Sequence, residues 1–515
     1  MARARRHRRD LHGDPRSAAI GLDLGGRNPA LGRDVLRPPV ADSQSLFAEA
    51  EAAWRNGDRV RARSLAERVA AADSTHAGAF MLLTNLCFAA GDVAGAAPYL
   101  ECLSRLMPGD VMVLGNLGRA HLAAGDLAKA AGAFEGVLGL EPANARALDG
   151  LGIVRHREGV YAPAAELHRR AAEADPGFAA AWCNLGIALT DLGRFADGAA
   201  ALDRALSIDP EDARTRFNRA ILDLMAGDFA AGWRHYEARL SFQPLQAPPG
   251  AAMWGGGPLN GEPVLLMPEQ GFGDLIQFAR FASHVAARGG RPVLAVPGPM
   301  RALFEAQNWD AEIIDAGALP DVPWWCPLMS LGAVLGLGAA DISGTPYLTV
   351  PEAAAPVSGG PFRIGLAWAG NPTHRRDRAR SLRLADLLPV LGVPDVRFVN
   401  LQVGLREVDA DLLAARSGLF AERPALPDFL ATASVLAGLD LVISADTAVL
   451  HLAGAMGRPA WGLLPFVPDW RWGNAGETTP WYDSLRLYRQ DTAGDWAGVA
   501  ARVAADLGRV RTSET

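Results

Sequence analysis

Apolar and small residues return at a fixed interval through the first half of the chain. Gly57, Gly91, Gly125, Gly159, Gly193 and Gly227 each follow the last by 34 residues, and five positions beyond each stands a small residue: Ala62, Ala96, Ala130, Ala164, Gly198 and Gly232. Small residues at that place let paired helices approach closely, and Leu100, Phe134, Leu202 and Tyr236 supply the bulk between successive units. Pro108, Pro142, Pro176 and Pro210 close the units, because proline cannot continue a helix interior. The pattern predicts about six helical pairs over residues 43–240.

The period stops after "AGWRHYEARL", and "SFQPLQAPPGAAMWGGGPLNG" concentrates proline and glycine as a linker does, over residues 241–258. From residue 259 the pattern turns to short apolar runs. "PVLLM", "PVLAV" and "AEIID" read as strands and residues 274–288 as a helix, an alternation that predicts a parallel α/β sheet. "PEAAAPVSGGP" marks a second joint, after which "RIGLAW", "VRFVNLQ", "DLVIS" and "PAWGLL" supply strands of a second lobe. The expected organisation is a disordered basic tail over 1–42, repeats over 43–240, a linker over 241–258, a short first lobe over 259–355 and a second over 356–515. Two such lobes enclose a cleft at the carboxyl ends of their strands, where ligands are expected.

Composition narrows the partners. A net charge of −7 over 515 residues gives no reason to expect nucleic acid. Cys87, Cys102, Cys183 and Cys326 lack metal spacing and read as small apolar residues of a reducing, cytoplasmic compartment. "MARARRHRRD" is basic without the apolar core of a secretory signal, and no apolar run reaches the roughly 18–20 residues of a membrane span.

Two stretches carry candidate chemistry. In "EQGFGDLIQFAR", Gly271 and Gly273 permit a tight turn with close backbone approach to a ligand, and Asp274 stands at a helix N-terminus facing the cleft, either as a cap or as a catalytic acid/base. In "DLVISADTAVLHLAGAMGRPAW" a strand ends at Ser444, and the turn through Asp446 and Thr447 opens a helix at Ala448 whose free amides suit a phosphate. Thr447 and His451 are four apart and share a face of that helix, although a buried histidine with its bonds satisfied is the plainer reading of His451. Asn371, His374 and Arg380 follow "GLAWAG", as phosphate contacts or as an ordinary basic loop. "DAD" at 409–411 matches a metal-binding pattern of sugar transferases but falls in a helix, where a solvated face is expected. "PDWRW" offers Asp469 and Arg471, whose planar fork suits a carboxylate as well as it suits an internal ion pair.

The period of 34 strongly resembles tetratricopeptide repeats, whose bland function is to bind protein. Asn116, Asn184 and Asn218 share one repeat position, interrupted by Gly150, and resemble the asparagine ladder of protein O-GlcNAc transferases. Phe47, Met81, Met112, Ile153 and Ile187 offer apolar contacts in the same groove. "EQGFGD", "GLAWAGNPTHRRDRARSL" and "SADTAVLHLAGAMGRPAW" together resemble glycosyltransferases that follow such repeats in bacteria, with a catalytic half similar to the ADP-heptose:lipopolysaccharide heptosyltransferases. The resemblance implies an all-α repeat superhelix followed by a GT-B fold of two Rossmann-like lobes. It implies an inverting, metal-independent glycosyltransferase with no cofactor beyond its nucleotide-sugar co-substrate, acting on a protein acceptor for which flagellin is the nearest analogy. In that scheme Asp274 is the general base, and Gly271, Gly273, Asn116, Asn184 and Asn218 lie on the acceptor side. Asn371, His374, Arg380, Ser444, Asp446, Thr447, Ala448, His451 and Arg471 hold the donor. The acidic residue expected three places after Asp428 is replaced by Ala431, which leaves a donor ribose contact there without its residue. Competing readings are a non-catalytic adaptor or chaperone with a relic GT-B half, and an epimerase or hydrolase acting on the donor alone.

Overall fold

A computed structural model describes residues 43–243, 245–350, 362–374, 376–415, 418 and 420–513; the expected tail over 1–42 and the joint at 351–361 lie outside the described residues. The chain divides into two compact units at Leu82 and Leu83. Within the first, helices Ser43–Arg55 and Arg59–Ala72 pair, and the Phe47 ring lies 4.6 Å from His76.

The second unit continues with helices Val111–Ala124, Leu127–Leu140, Ala145–Arg157, Tyr161–Ala174, Ala179–Asp191, Phe195–Ile208, Ala213–Ala226 and Phe229–Tyr236. The pacing glycines explain their ends. Gly125 and Gly227 adopt φ of 81° and 84° at the C-caps, a left-handed conformation that a side chain would strain. The aspartate after each glycine then starts the next helix: Asp126 accepts from Lys129 N at 3.1 Å and Asp228 from Ala231 N at 3.1 Å. Gly198 stands where four repeats have alanine, and a Cβ there would lie 2.8 Å from Thr190 Oγ1 and 3.0 Å from the Gly186 carbonyl oxygen.

Two five-stranded parallel sheets follow. The first has the order β1-β5-β2-β3-β4, with β1 Ala252–Met253, β2 Pro263–Met267, β3 Arg291–Val296, β4 Glu312–Asp315 and β5 Trp324–Pro327. The second has the order β10-β9-β8-β6-β7, with β6 Phe362–Ala367, β7 Val396–Asn400, β8 Leu441–Ala445, β9 Ala460–Leu464 and β10 Leu485–Arg489. Strands β8 and β9 are buried at every residue, as expected where helices cover both faces of a parallel sheet.

Three expectations need correction. The linker over 241–258 contributes β1, which pairs with β5 through Ala252–Trp324 and Met253–Trp325. The single helix expected over 274–288 is two, Phe272–Ala279 and Ala282–Ala287, interrupted where Phe281 N bonds Phe278 O in a tighter i→i+3 turn. Asp409 is not on a solvated face: it is buried in helix Glu407–Ala415 and accepts from Trp368 Nε1 and Leu384 N, each at 2.8 Å.

The last repeat is built into the α/β region. Trp233 packs on Phe278, Trp470 and Trp481 at 5.8, 5.5 and 6.5 Å between ring centres, and its indole occupies the space a Cβ on Gly332 would need, 2.5 Å away. Arg239, just beyond that repeat and fully buried, donates through Nε and Nη2 to Glu269 at 2.8 Å each, and to Ser330 Oγ at 2.8 Å. Glu269 is also reached by the Met329 amide at 3.0 Å.

Candidate active site

In each sheet the order of strands reverses beside a central strand, and the crevice at that switch point is where a doubly wound sheet takes its ligand. In the first sheet the crevice lies between the ends of β2 and β5, carrying Glu269 and Ser330. Arg239 fills it with the bonds described above. In the second sheet the crevice lies between the ends of β6 and β8, which lead into Gly370–Arg380 and Asp446–Thr447. Arg380 spans it, donating from Nη1 to the Asp446 carbonyl at 3.1 Å, while its Nε is buried without a partner.

The helix after β8 starts at Ala448, with Thr447 at its N-cap position. The Thr447 hydroxyl makes no cap bond to the helix amides and lies 3.0 Å from Ser444 Oγ, so the N-terminal end has no side-chain cap. Ser444 is fully buried and donates to the Ala445 carbonyl at 2.8 Å. Asn371 closes its own turn by accepting from Thr373 N at 3.0 Å, and His374 Nδ1 accepts from Arg376 N at 3.2 Å. Partial burial, and then the charge of Arg380, lower the His374 pKa. Burial, and then the charge of Asp469, push the Asp446 carboxyl up to about 6.

His451 is buried one turn into the same helix, with Nδ1 2.9 Å from the Tyr482 hydroxyl and its ring 4.9 Å from that of Trp472. Burial, followed by the positive charge of Arg471, pushes its pKa down to about 3, so the imidazole is neutral. Asp274 approaches from the first sheet, on helix Phe272–Ala279, where both of its oxygens are engaged. Oδ2 accepts from Gly271 N at 2.7 Å and Oδ1 from Arg471 Nη2. Arg471 also donates to Asp469 Oδ1 and Gln277 Oε1, each at 2.7 Å, and its guanidinium lies 4.3 Å from the Trp470 ring centre. Burial opposes the charge on Arg471, but Asp274 and Asp469 outweigh it and keep its pKa above the usual value.

The structure thus brings Asp274 and Arg471 together, packs His451 against Gly273, and links Arg380 to Asp446. Several others have partners within the protein. Gly271 has φ −79° and ψ 174°, and Gly273 lies inside the helix, where its missing Cβ admits the His451 ring. Arg471 is tied to two carboxylates of the protein. The asparagine ladder is not free either. Asn184 is buried, donating to Asp149 Oδ1 at 2.9 Å and accepting from Arg214 at 2.9 Å. Asp149 is in turn 2.7 Å from His168 Nδ1. Asn116 accepts from Arg119 at 3.3 Å, and Asn218 donates to the Arg214 carbonyl at 2.8 Å. The sequence reading missed Gln277 and Tyr236 as site residues. Tyr236 was expected only as bulk between repeats, yet its hydroxyl accepts from Gln270 at 3.2 Å. Gln277, three residues after Asp274, carried no motif that would mark it.

Among the described residues no group of three or more His, Cys, Asp or Glu could hold a metal ion, and no helix is long and apolar enough to cross a membrane. Models of the tetratricopeptide repeat match residues 47–103, 116–179 and 179–212, so these segments carry tetratricopeptide repeats. Among particular relatives, Protein FlbA of Caulobacter vibrioides is 28% identical over 290 residues, covering 49% of this chain and 48% of that protein. The chain therefore spans about half the length of the curated relative it matches. Among solved structures, YrrB, described as a TPR protein with an unusual peptide-binding site, is 20% identical over 34% of this chain and 90% of its own, with a TM-score of 0.31. A tetratricopeptide repeat protein from Parabacteroides merdae is 18% identical over 40% of this chain and 81% of its own, with a TM-score of 0.34.

Proposed function

We propose that the protein is a glycosyltransferase of GT-B fold, which moves a sugar from a nucleotide-sugar to a protein acceptor captured by its repeats. The observation that carries this reading is the convergence, at one place, of Asp274 from the first sheet with the elements around the switch point of the second. An uncapped helix N-terminus beside Arg380 suits a phosphorylated donor. Asp274 would accept the proton of the acceptor hydroxyl as its oxygen attacks the anomeric carbon, a single displacement that inverts that centre. The donor phosphates would meet the Asp446–Ala448 turn and Arg380, with Asn371 and His374 on the adjoining loop. Because tetratricopeptide repeats bind protein, and the last repeat is fused to the first sheet, a polypeptide acceptor fits better than a free lipid. Flagellin is the acceptor to test first, on the resemblance described above.

The adaptor reading has one observation in its favour: both oxygens of Asp274 already serve the fold. Intact-mass measurement of flagellin from cells carrying either the unaltered chain or Asp274→Ala separates the two. Loss of a sugar-sized increment in a folded, abundant variant supports transfer. Equal masses, together with no heat of binding for any sugar nucleotide in a broad panel, would leave the adaptor.

A further inference from the structure

Resting on the transferase reading, we propose that Arg471 hands its charge from Asp274 to the departing nucleotide as Asp274 takes up the acceptor's proton. Arg471 Nη2 faces Asp274, which is 197 residues earlier in the chain and on the other sheet's helix; Nη1 and the backbone amide face Asp469, and Nε faces Gln277. The Arg471 side chain is 7% exposed and that of Asp274 18%, so water screens this contact less than it screens the one to Asp469, whose side chain is 38% exposed. Two carboxylates and one guanidinium leave this cluster, in which Arg471 is buried and Asp274 and Asp469 are partly exposed, with one net negative charge. While Asp274 is ionised, that charge disfavours a phosphate alongside, and three of the five guanidinium N–H groups, one on each nitrogen, are held by protein oxygens.

The reaction itself changes the balance. The acceptor hydroxyl gives its proton to Asp274 while its oxygen forms the bond to the anomeric carbon. The bond from that carbon to the phosphate oxygen breaks, and its electron pair leaves on the nucleotide. Asp274 becomes neutral in the same step that places new negative charge on the leaving phosphate. The triad then sums to zero, and the Nη2 hydrogens are released from a carboxylate that no longer holds them. Asp469 keeps its grip on Nη1, so Arg471 pivots rather than departs. Gln277 Nε2, on the amide whose oxygen Arg471 uses, is buried without a partner and is a second unused donor beside the same group. Stabilisation that appears only as charge develops accelerates the chemical step, whereas a cation already exposed to the substrate would bind ground and transition states alike.

The test is calorimetric binding of UDP, GDP, CDP, ADP, dTDP and CMP to the full chain. The proteins compared are the unaltered form, Asp274→Asn, Arg471→Gln and the double variant, each checked by thermal melting. Asp274→Asn imitates the neutral carboxyl, so it is expected to bind the cognate nucleotide at least about tenfold tighter while transfer is lost, and Arg471→Gln is expected to abolish that gain. Nucleotide binding by the unaltered chain with no gain in Asp274→Asn, or a gain that survives in the double variant, overturns the hand-off and leaves the transferase reading intact. No binding by any form overturns both. If Arg471→Gln fails to fold, Arg471→Lys replaces it: lysine keeps the charge without the fork, so the gain is expected to shrink by about threefold or more, and an undiminished gain overturns the proposal.

Discussion

Gly273 and His451 meet through an absent side chain: a Cβ placed on Gly273 would lie 2.7 Å from His451 Cδ2. The helices that follow β2 and β8 can approach this closely for that reason. Helix propensity alone would favour alanine at Gly273 by about 1 kcal/mol. Overpacking against a buried ring opposes it by about 1–3 kcal/mol, so Gly273→Ala is expected to destabilise the fold in urea denaturation. Gly271→Ala is the control. Its extended φ of −79° suits any residue, and the nearest atom to a Cβ is Asp274 Oδ2 at 3.4 Å, so a change within about 1 kcal/mol is expected. Equal effects at the two positions would refute the close approach.

The three asparagines of the repeats should separate on substitution. Asn184→Ala removes a buried amide and leaves Asp149 short of a donor, which is expected to cost about 1–3 kcal/mol. Asn116→Ala and Asn218→Ala lose less buried, local bonds and should stay within about 1 kcal/mol of the parent. Thermal melting decides: if all three melt alike, Asn184 has no structural task and the ladder regains its case.

Arg239 is a fully buried cation in the first sheet's crevice, paired with Glu269. Arg239→Ala strands Glu269 in the first sheet's crevice and is expected to destabilise by about 3–5 kcal/mol. Arg239→Met, which refills the volume, still leaves Glu269 uncompensated. Arg239→Met combined with Glu269→Gln should recover part of the loss, and no recovery in denaturant midpoints would argue against the pairing.

Two groups should shape the acid limb of the stability profile with opposite signs. Between pH 6.5 and about 3 the unfolded chain protonates His451 while the folded one does not, so its contribution is present above 6.5 and is lost on acidification, by at most about 1.4 kcal/mol per pH unit. Between about 6 and 3.8 the folded chain holds a proton on Asp446 that the unfolded chain has released, so falling pH favours the fold there. His451→Gln should flatten the acid loss and Asp446→Asn should steepen it between about pH 6 and 4. Parallel urea-midpoint curves for parent and His451→Gln would mean that the imidazole titrates normally.

Most of the helical half was legible, because glycines spaced by 34 and the small residues five positions later answer to local demands: a left-handed cap and a close helix pair. The strands "PVLLM" and "PAWGLL" announced themselves as continuous apolar runs. "WWCP" and "LRLYR" did not, since a run of four residues or a strand with arginines carries no such signal, and they proved to be β5 and β10. In the candidate site, Asp274, Asp446 and His451 stood out by residue type, but their partners did not. That Arg471 would meet Asp274, or that Asp149 would occupy Asn184, depends on segments far apart in the chain that only packing brings together. Asp409 misled for the same reason: helical spacing marks a face but does not say what covers it.

Trp233 lodged over Gly332 has a consequence for engineering. The repeats resemble an exchangeable cassette, yet the final one forms part of the wall of the neighbouring sheet, with Arg239 as its bolt. A chimera with new partner specificity should therefore exchange helices ahead of Ala179 and retain everything after it, because Gly193 meets the Phe466 ring, Ala220, Leu224 and Met225 share a core with Trp470, and a cut at the proline-rich stretch would leave each half with an aromatic wound.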